Sequence, residues 1–455
     1  MKKGITAVAF IMLVALTVVF PFSMENSRAV SLCYALTASA RGVDCIGFNP
    51  ANLALSGSSN WDIMILGGVN YFFSNNAFSL ESYSRFAGRN VGKYGDDTQG
   101  DIVEMVPDEG WNVYSNLGIP VLRVSFGNKA LSSDLFYLRE YNLSKSIFEV
   151  VFGEMKPGEE YRYNVQADEI IAFKHGFSVG VPFGKLCIGV TISYIQALSG
   201  FRVDPWESTG YIMVDTLNFA LRGEGKFRLM QYTGGEGFAV DLGLLCHDLY
   251  GWDIGVSLIN VGGVIRYNSE QVLSRLFGGR AARIIERNFN KTNRISTLQF
   301  DNTGYEYTFI LKDVSIEKLL ESDSTLEDFI TGKGTLFVDQ SKPQERIPLA
   351  LRMGVFRKWG YLGLSTDFIA TFDTGFIFRK GWQFAMGFEY DRGWGFPLRT
   401  GFSIGGIRGI CFGLGSGIRK GILAFDWGVN FHRGILIHKL KGIDLSFNLG
   451  IRLSE

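Results

Sequence analysis

The sequence predicts an all-β fold, an antiparallel transmembrane β-barrel of about 14 strands, and three observations carry that reading. The first is a period-two ladder at the C-terminus. Ile443, Leu445, Phe447, Leu449, Ile451 and Leu453 alternate with Asp444, Ser446, Asn448, Gly450, Arg452 and Ser454. Successive side chains of a strand point to opposite faces, so this segment has one apolar face and one polar or glycine face. The same ladder runs from Leu423 to His432 and from Trp382 to Asp391. Each run has about the length of a tilted strand that crosses a bilayer. The second observation is composition: 56 Gly, 38 Phe and 18 Tyr stand against 10 Pro and a charged fraction of 20%, below the ~25% of ordinary soluble domains. Glycine weakens a strand unless a crowded interior or a close backbone approach gives it a role. The third is the alternation of connection lengths. With the C-terminus in the periplasm, Arg419 to Gly421, Arg392 to Gly395, Phe356 to Gly360 and Asp248 to Gly251 are short periplasmic connections, and the long one from Tyr267 to Arg346 falls outside the cell, where such barrels carry their long loops.

In chain order, strands are expected at 61–75, 112–127, 171–183, 186–199, 206–223, 237–247, 252–266, 346–356, 360–376, 381–391, 395–405, 408–418, 422–432 and 443–453. The stretch 128–170 has room for one more hairpin, in Ile147 to Phe152 and Tyr161 to Val165. Asp96 to Gly110 reads as a short loop helix. The insertion 267–346 reads as partly helical, over Ser269 to Asn288 and Ser315 to Ile330, where Ile316, Leu319 and Leu320 have helical spacing.

Residues 1–29 read as a secretory signal: Lys2 and Lys3 precede an apolar stretch from Ile5 to Phe22, and Ser27-Arg28-Ala29 offers a small-residue cleavage site after Ala29. A retained membrane anchor is the alternative. No later apolar run reaches spanning length, which argues against a helical transporter. Net charge is zero, with 45 basic and 45 acidic residues and no basic block, so nothing points to a nucleic-acid partner. Five cysteines, Cys33, Cys45, Cys187, Cys246 and Cys411, show no CxxC spacing, so no metal is expected. Export permits a disulfide, for which Cys33 and Cys45 are the close pair; isolated cysteines in or beside strands are the simpler reading.

Between the signal and the first strand stands Ala40-Arg41-Gly42-Val43-Asp44-Cys45-Ile46-Gly47-Phe48-Asn49-Pro50-Ala51-Asn52-Leu53-Ala54. This resembles the opening motif of the long-chain fatty-acid transporter superfamily of outer-membrane barrels, which includes the shuttle barrels of type IX secretion. Two hairpins carry further resemblance: Gly235 to Gly243 with Gly255 to Gly262, and Gly387 to Tyr390 with Leu398 to Phe402. The resemblance implies a small N-terminal hatch in the lumen, residues 30–58, with Arg41, Gly42, Asp44, Asn49, Pro50 and Ala51 as its motif, inside a barrel formed by 59–455. From the residues themselves, Asn49 and Pro50 also fit a simple turn leading into the first strand. The final strand ends on Glu455 where assembly signals of such barrels usually end on an aromatic residue.

The polar faces of the expected strands carry Asp241, Asp253, Arg352, Asp367, Glu389, Asp391, Arg399, Asp426, Asp444 and Arg452. Charges in a lumen need partners or water, so interior ion pairs holding barrel and hatch together are expected. An enzyme would have to draw on His175, His247, His432 or His438; His432 with Asp426 is the one candidate arrangement, and no Ser-centred elbow accompanies it. The expectation is a non-enzyme without cofactor, in contact with outer-membrane lipid. Two functions follow: passive passage of hydrophobic or amphipathic small molecules, or a scaffold that binds exported proteins through the extracellular insertion.

Overall fold

The computed structural model describes residues 26–453 apart from 56–60, 66, 87–96, 154, 218, 268–301, 316–329, 339–342, 373–380, 394 and 435. Fourteen antiparallel strands close on themselves among the described residues. They are β1 (Trp61–Ile65 and Gly68–Asn75), β2 (Trp111–Phe126), β3 (Lys129–Leu143), β4 (Glu160–Phe183), β5 (Leu186–Val203), β6 (Ala220–Leu249) and β7 (Trp252–Tyr267). The second half comprises β8 (Gln344–Arg346 and Ala350–Trp359), β9 (Leu362–Thr371), β10 (Gly381–Tyr390), β11 (Leu398–Gly405), β12 (Cys411–Lys420), β13 (Leu423–His432) and β14 (Gly442–Leu453). Each pairs with its neighbour in sequence, and β14 closes the ring on β1 through Ile443↔Phe73 and Ile451↔Ile63. Closure leaves no lipid-facing edge, the condition for a sheet to cross a bilayer.

Two corrections to the strand assignments offset each other in the count. Lys129–Leu143 is a full barrel strand, paired with β2 on one side and β4 on the other. The expected strand at 206–223 does not cross: Thr209–Val214 is a short strand bridging the upper ends of β4 and β6, and the first residues of β6 follow it. Connections alternate as a consequence. The ends joined by the turns at 127–128, 184–185, 250–251, 360–361 and 421–422 lie on one side of the barrel, as do the ends of β10 and β11, and the strand ends between which the longer connections run, β1 to β2, β3 to β4, β5 to β6 and β7 to β8, lie on the other.

The outward face is an apolar belt. On β13, Leu423, Phe425 and Trp427 are exposed while Ala424, Asp426, Gly428, Asn430 and His432 face inward; on β14, Phe447, Leu449, Ile451 and Leu453 are exposed and Asp444, Ser446 and Asn448 are buried. At the short-turn end an aromatic girdle runs through Trp61, Phe183, Trp359, Tyr361 and Tyr390, with Arg357 lying 5.2 Å from the rings of both Trp252 and Trp359. Aromatic girdles of this kind mark the interface level of a membrane-spanning barrel. The wall is irregular in several places: β1 comes in two pieces, Trp61–Ile65 and Gly68–Asn75, β2 shifts register against β3 between Pro120 and Leu122, and the β4–β5 and β6–β7 ladders shift at Ile171/Ala172 and between Phe238 and Leu242.

Beyond the long-loop end, β6 continues past the barrel and pairs with Thr303–Ser315, which pairs with Ile330–Val338. The described part of the insertion is therefore strand; the helix expected over Ser269 to Asn288 lies outside the described residues, and of the one expected over Ser315 to Ile330 the two end residues belong to strands while 316–329 lie outside. A separate cap is built by α-helices at Leu80–Phe86, Asp97–Met105 and Lys145–Phe152, packed through Phe86, Ile102, Val106 and Phe148 and by edge contacts among Phe78, Trp111 and Phe148. The helix expected within 96–110 is the second of these.

Candidate functional site: the lumen and its N-terminal segment

Residues 26–55 lie against the inward faces of the strands and are almost wholly buried. The segment begins with a short helix, α1 (Ser27–Ser31). Asn26 caps it by accepting the Ala29 N–H at 2.7 Å, the usual role of an Asn before a helix. Two 3₁₀ turns follow, Gly42–Cys45 and Pro50–Leu55. Between them and the helix, Cys33 and Tyr34 adopt φ of 51° and 75°, a left-handed backbone that non-glycine residues hold only when surrounding contacts impose it.

Those contacts come from the charged faces of β7 to β14. Asp367 accepts the backbone N–H of Leu36 at 3.1 Å, that of Thr37 at 2.9 Å and the Thr37 hydroxyl at 2.6 Å. Arg352 donates to the Tyr34 carbonyl at 2.7 Å, sits 3.4 Å from Asp367 and covers the Phe48 ring at 4.6 Å. Asp444 accepts the Tyr34 hydroxyl at 2.5 Å and lies 3.0 Å from His432 and 3.3 Å from Arg408. Asp253 pairs with Arg41 at 2.8 Å. At the foot of β10 and β11, Glu389 takes Arg28 at 2.9 Å and Arg399 at 2.6 Å, and Arg399 reaches Asp426 at 2.6 Å. Asp44, at 3.6 Å from Arg28, extends this network. Alternating charges with several hydrogen bonds each are the arrangement in which burying ions is tolerable.

The glycines of the inward faces are where the segment's backbone touches the wall. A Cβ at Gly180 would lie 2.6 Å from the Ala54 nitrogen, at Gly255 2.9 Å from the Thr37 carbonyl, at Gly401 2.5 Å from the Leu32 carbonyl carbon and at Gly413 2.6 Å from the Ser31 carbonyl. Gly189 and Gly243 are filled in the same sense by Pro50, Ala51 and Asn49. The motif residues have distinct duties. Asn49 donates to the carbonyls of Thr37 (3.2 Å) and Leu244 (3.0 Å) and accepts the Ala51 N–H. Pro50 and Ala51 give the close approach to β5 and β6, and Gly42, at φ 59°, turns the chain beside Asp62.

Of the charges singled out in the sequence, Asp253, Arg352, Asp367, Glu389, Arg399, Asp426 and Asp444 belong to the networks that touch the segment. Asp241 lies apart from them, 3.9 Å from Lys174 and accepting the Asn260 N–H at 2.8 Å. Arg452 pairs with Asp62 at 3.5 Å, and Asp391 is at the rim with Arg419 at 3.0 Å. His432 does not pair with Asp426, as its spacing suggested. The strand register sets it opposite Gly442 and next to Asp444, and both side chains are fully buried. No two of the five cysteines are bonded, and Cys33 and Cys45 sit in the segment itself. Arg28 and Ser27 were missed because they fall in the stretch read as a signal; Lys174, Arg202 and the Arg123–Asp134 pair at 2.7 Å were missed because their strands were misplaced or read without an inward face.

Above the segment on the other side of the lumen, the inward residues change character. Phe136, Ile170, Ala172, Ile195, Ala197, Met230, Tyr232, Ala239, Ile265 and Tyr267 form a continuous apolar cluster on β3 to β7. Phe337, from the strand Ile330–Val338, packs onto it from above. At its upper margin Arg202 joins Asp168 (2.7 Å) and Glu345.

No known family's sequence pattern matches the chain, and no curated protein does. Among solved structures it is similar to the toluene transporter TbuX of Ralstonia pickettii, with 12% identity, a TM-score of 0.49 and coverage of 95% of this chain and 100% of that one. The toluene transporter TodX of Pseudomonas putida is similar at 10% identity, TM-score 0.44, over 95% and 99% of the two chains. A FadL homologue of Pseudomonas aeruginosa is similar at 12% identity, TM-score 0.44, again over 95% and 99%.

Proposed function

We propose that this chain is an outer-membrane transporter that lets hydrophobic or amphipathic small molecules pass, with residues 26–55 as the plug that keeps the lumen closed to water and ions. The observation that carries the reading is the division of the lumen. A glycine- and charge-lined wall grips the N-terminal segment, and an apolar wall continues above it towards the long-loop end. A water-filled pore has no use for Ile170, Ile195 and Ile265 facing inward, since polar lumens are the rule for channels of hydrated solutes. An apolar solute gains roughly 25 cal/mol for each Å² it removes from water along such a wall. The solved structures named above include toluene transporters, which fits a solute of this class. With the short turns in the periplasm, the apolar wall faces the outside of the cell and the plug lies on the route inward.

Uptake of a labelled long-chain fatty acid and of labelled toluene into proteoliposomes tests the reading, with a hydrophilic sugar as the control. Entry of at least one apolar solute well above protein-free vesicles, with the sugar excluded, is the expected result. Exclusion of every apolar solute, or passage of the sugar alone, contradicts it.

A further inference from the structure

The spacing Ser27-Arg28-Ala29 satisfies the small-residue rule for processing after Ala29, yet the structure puts Asn26, Ser27, Arg28 and Ala29 inside the barrel, where their side chains and backbone are bonded to the wall and to the rest of the segment. Asn26 caps α1 and also donates to Asp44 at 3.0 Å. The Ser27 N–H donates to Asn448 at 2.5 Å, and its hydroxyl lies 2.6 Å from the same amide oxygen and 3.0 Å from the Asp426 carbonyl. Gly428 leaves room on β13 for the Ser27 carbonyl. Arg28 is the central cation of the network at the foot of β10 to β13: it bonds Glu389 through two nitrogens, at 2.9 and 3.3 Å, donates to the Ser39 carbonyl at 3.1 Å and lies 3.6 Å from Asp44.

Removing residues 1–29 takes all of this away. The helix loses its cap and most of its length, and Ser27's sites on Asn448 and Asp426 are vacated. Glu389 loses one of its two guanidinium partners, and Asp44 loses both the Asn26 amide and the Arg28 guanidinium. A buried carboxylate stripped of its partner is among the costliest defects a folded protein carries. We infer that Asn26 to Ala29 belong to the mature, folded protein as the anchor of its N-terminal segment, and that hydrolysis of the signal, in which water adds across one peptide bond, takes place before Asn26 or not at all. The inference stands whether or not the barrel transports.

A single digest separates the two outcomes. Full-length protein is expressed with its own N-terminus, extracted from outer membranes, denatured and cut with trypsin, and the N-terminal peptides are read by mass spectrometry. A chain that retains Asn26 yields, besides Ala29 to Arg41, an N-terminal peptide that ends at Arg28 and begins at or before Asn26; an N-terminal peptide beginning at Ser27 or later overturns the inference. A chain processed after Ala29 yields a peptide from Val30 to Arg41, and that result overturns the inference. The anchor role is read separately, from the unfolding midpoint of Arg28→Ala and Arg28→Lys in detergent. The Ala variant is expected to unfold at lower denaturant and the Lys variant to recover part of the loss; a midpoint unchanged in Arg28→Ala contradicts the role while leaving the processing result intact.

Discussion

The two sides of the lumen share one backbone plan and differ in everything they present to the interior. From β8 to β14 the inward residues are Arg352, Asp367, Glu389, Arg399, Asp426 and Asp444, interspersed with glycine, and the N-terminal segment climbs this side as far as Asp444, near the long-loop end of β14. From β3 to β7 the segment stays low, where Pro50 to Ala54 rest on Gly180 and Gly189 close to the 184–185 turn, and the wall above is apolar. Period two sets which residues face inward, and the chemistry of those residues then decides whether a wall holds a plug or offers a hydrophobic surface.

The same difference explains what was legible in the sequence. Strands β10, β13 and β14 were readable because their inward residues are polar and their outward ones apolar, so the alternation has full contrast. In β3, Phe136 and Leu138 alternate with outward Leu135 and Tyr137, so both faces are apolar in mid-strand and the ladder disappears. Ile170 and Ile171 blur β4 in the same way. The apolar residues of Tyr211 to Val214 looked like a crossing strand but belong to the sheet above the barrel. Charges on the polar side were found one by one, whereas their pairing was not. Strand spacing pointed His432 towards Asp426, but cross-strand register, which the sequence does not display, brings it to Asp444. The signal-like run hid Arg28, the cation those carboxylates needed.

The largest effect is expected on the gripping side. Arg399 is buried between Glu389 and Asp426, so Arg399→Ala should destabilise by about 3 to 5 kcal/mol, the cost of leaving partners of a broken buried pair. Reversible unfolding in lipid vesicles measures it, and a loss below 1 kcal/mol would mean that water already screens the network. On the apolar side, Ile195→Ala and Ile265→Ala should each cost about 2 kcal/mol or more, as truncations in a packed cluster do. Ile195→Asp should in addition lower uptake of an apolar solute while the barrel still assembles. Equal uptake by Ile195→Asp and the parent chain would remove that wall from the route.

Filling the contact surface tests the grip without touching a charge. A side chain at Gly413 collides with the backbone at Val30 and Ser31, so Gly413→Val should loosen the segment and raise ion leakage in planar bilayers, with barrel assembly preserved. Silence in the bilayer together with native assembly would show that the contact is dispensable. The smallest effect belongs outside the lumen, at the exposed Asp108–Lys145 pair of the helical cap, 2.8 Å apart. The hydrogen bond and charge of Lys145 hold the Asp108 carboxyl below the usual range. A carboxyl lowered in the folded state stabilises it above its unfolded pKa of about 4, and that contribution fades as pH falls through the lower folded value. Solvent screening keeps it slight, so Asp108→Asn should leave the unfolding midpoint at pH 7 within error; a clear drop would assign the cap a share in holding the barrel.

The most direct test of plug against route is to fasten one to the wall. The Ser39 and Ser365 hydroxyls lie 3.0 Å apart across the boundary between segment and β9, close enough for a Ser39→Cys/Ser365→Cys pair to form a disulfide. Uptake of the apolar solute is then measured in oxidised and reduced vesicles of the same preparation, with each single variant as a control for the native thiols. The account predicts that oxidation abolishes uptake and reduction restores it in the double variant alone. Undiminished uptake by the fully oxidised double variant would contradict it.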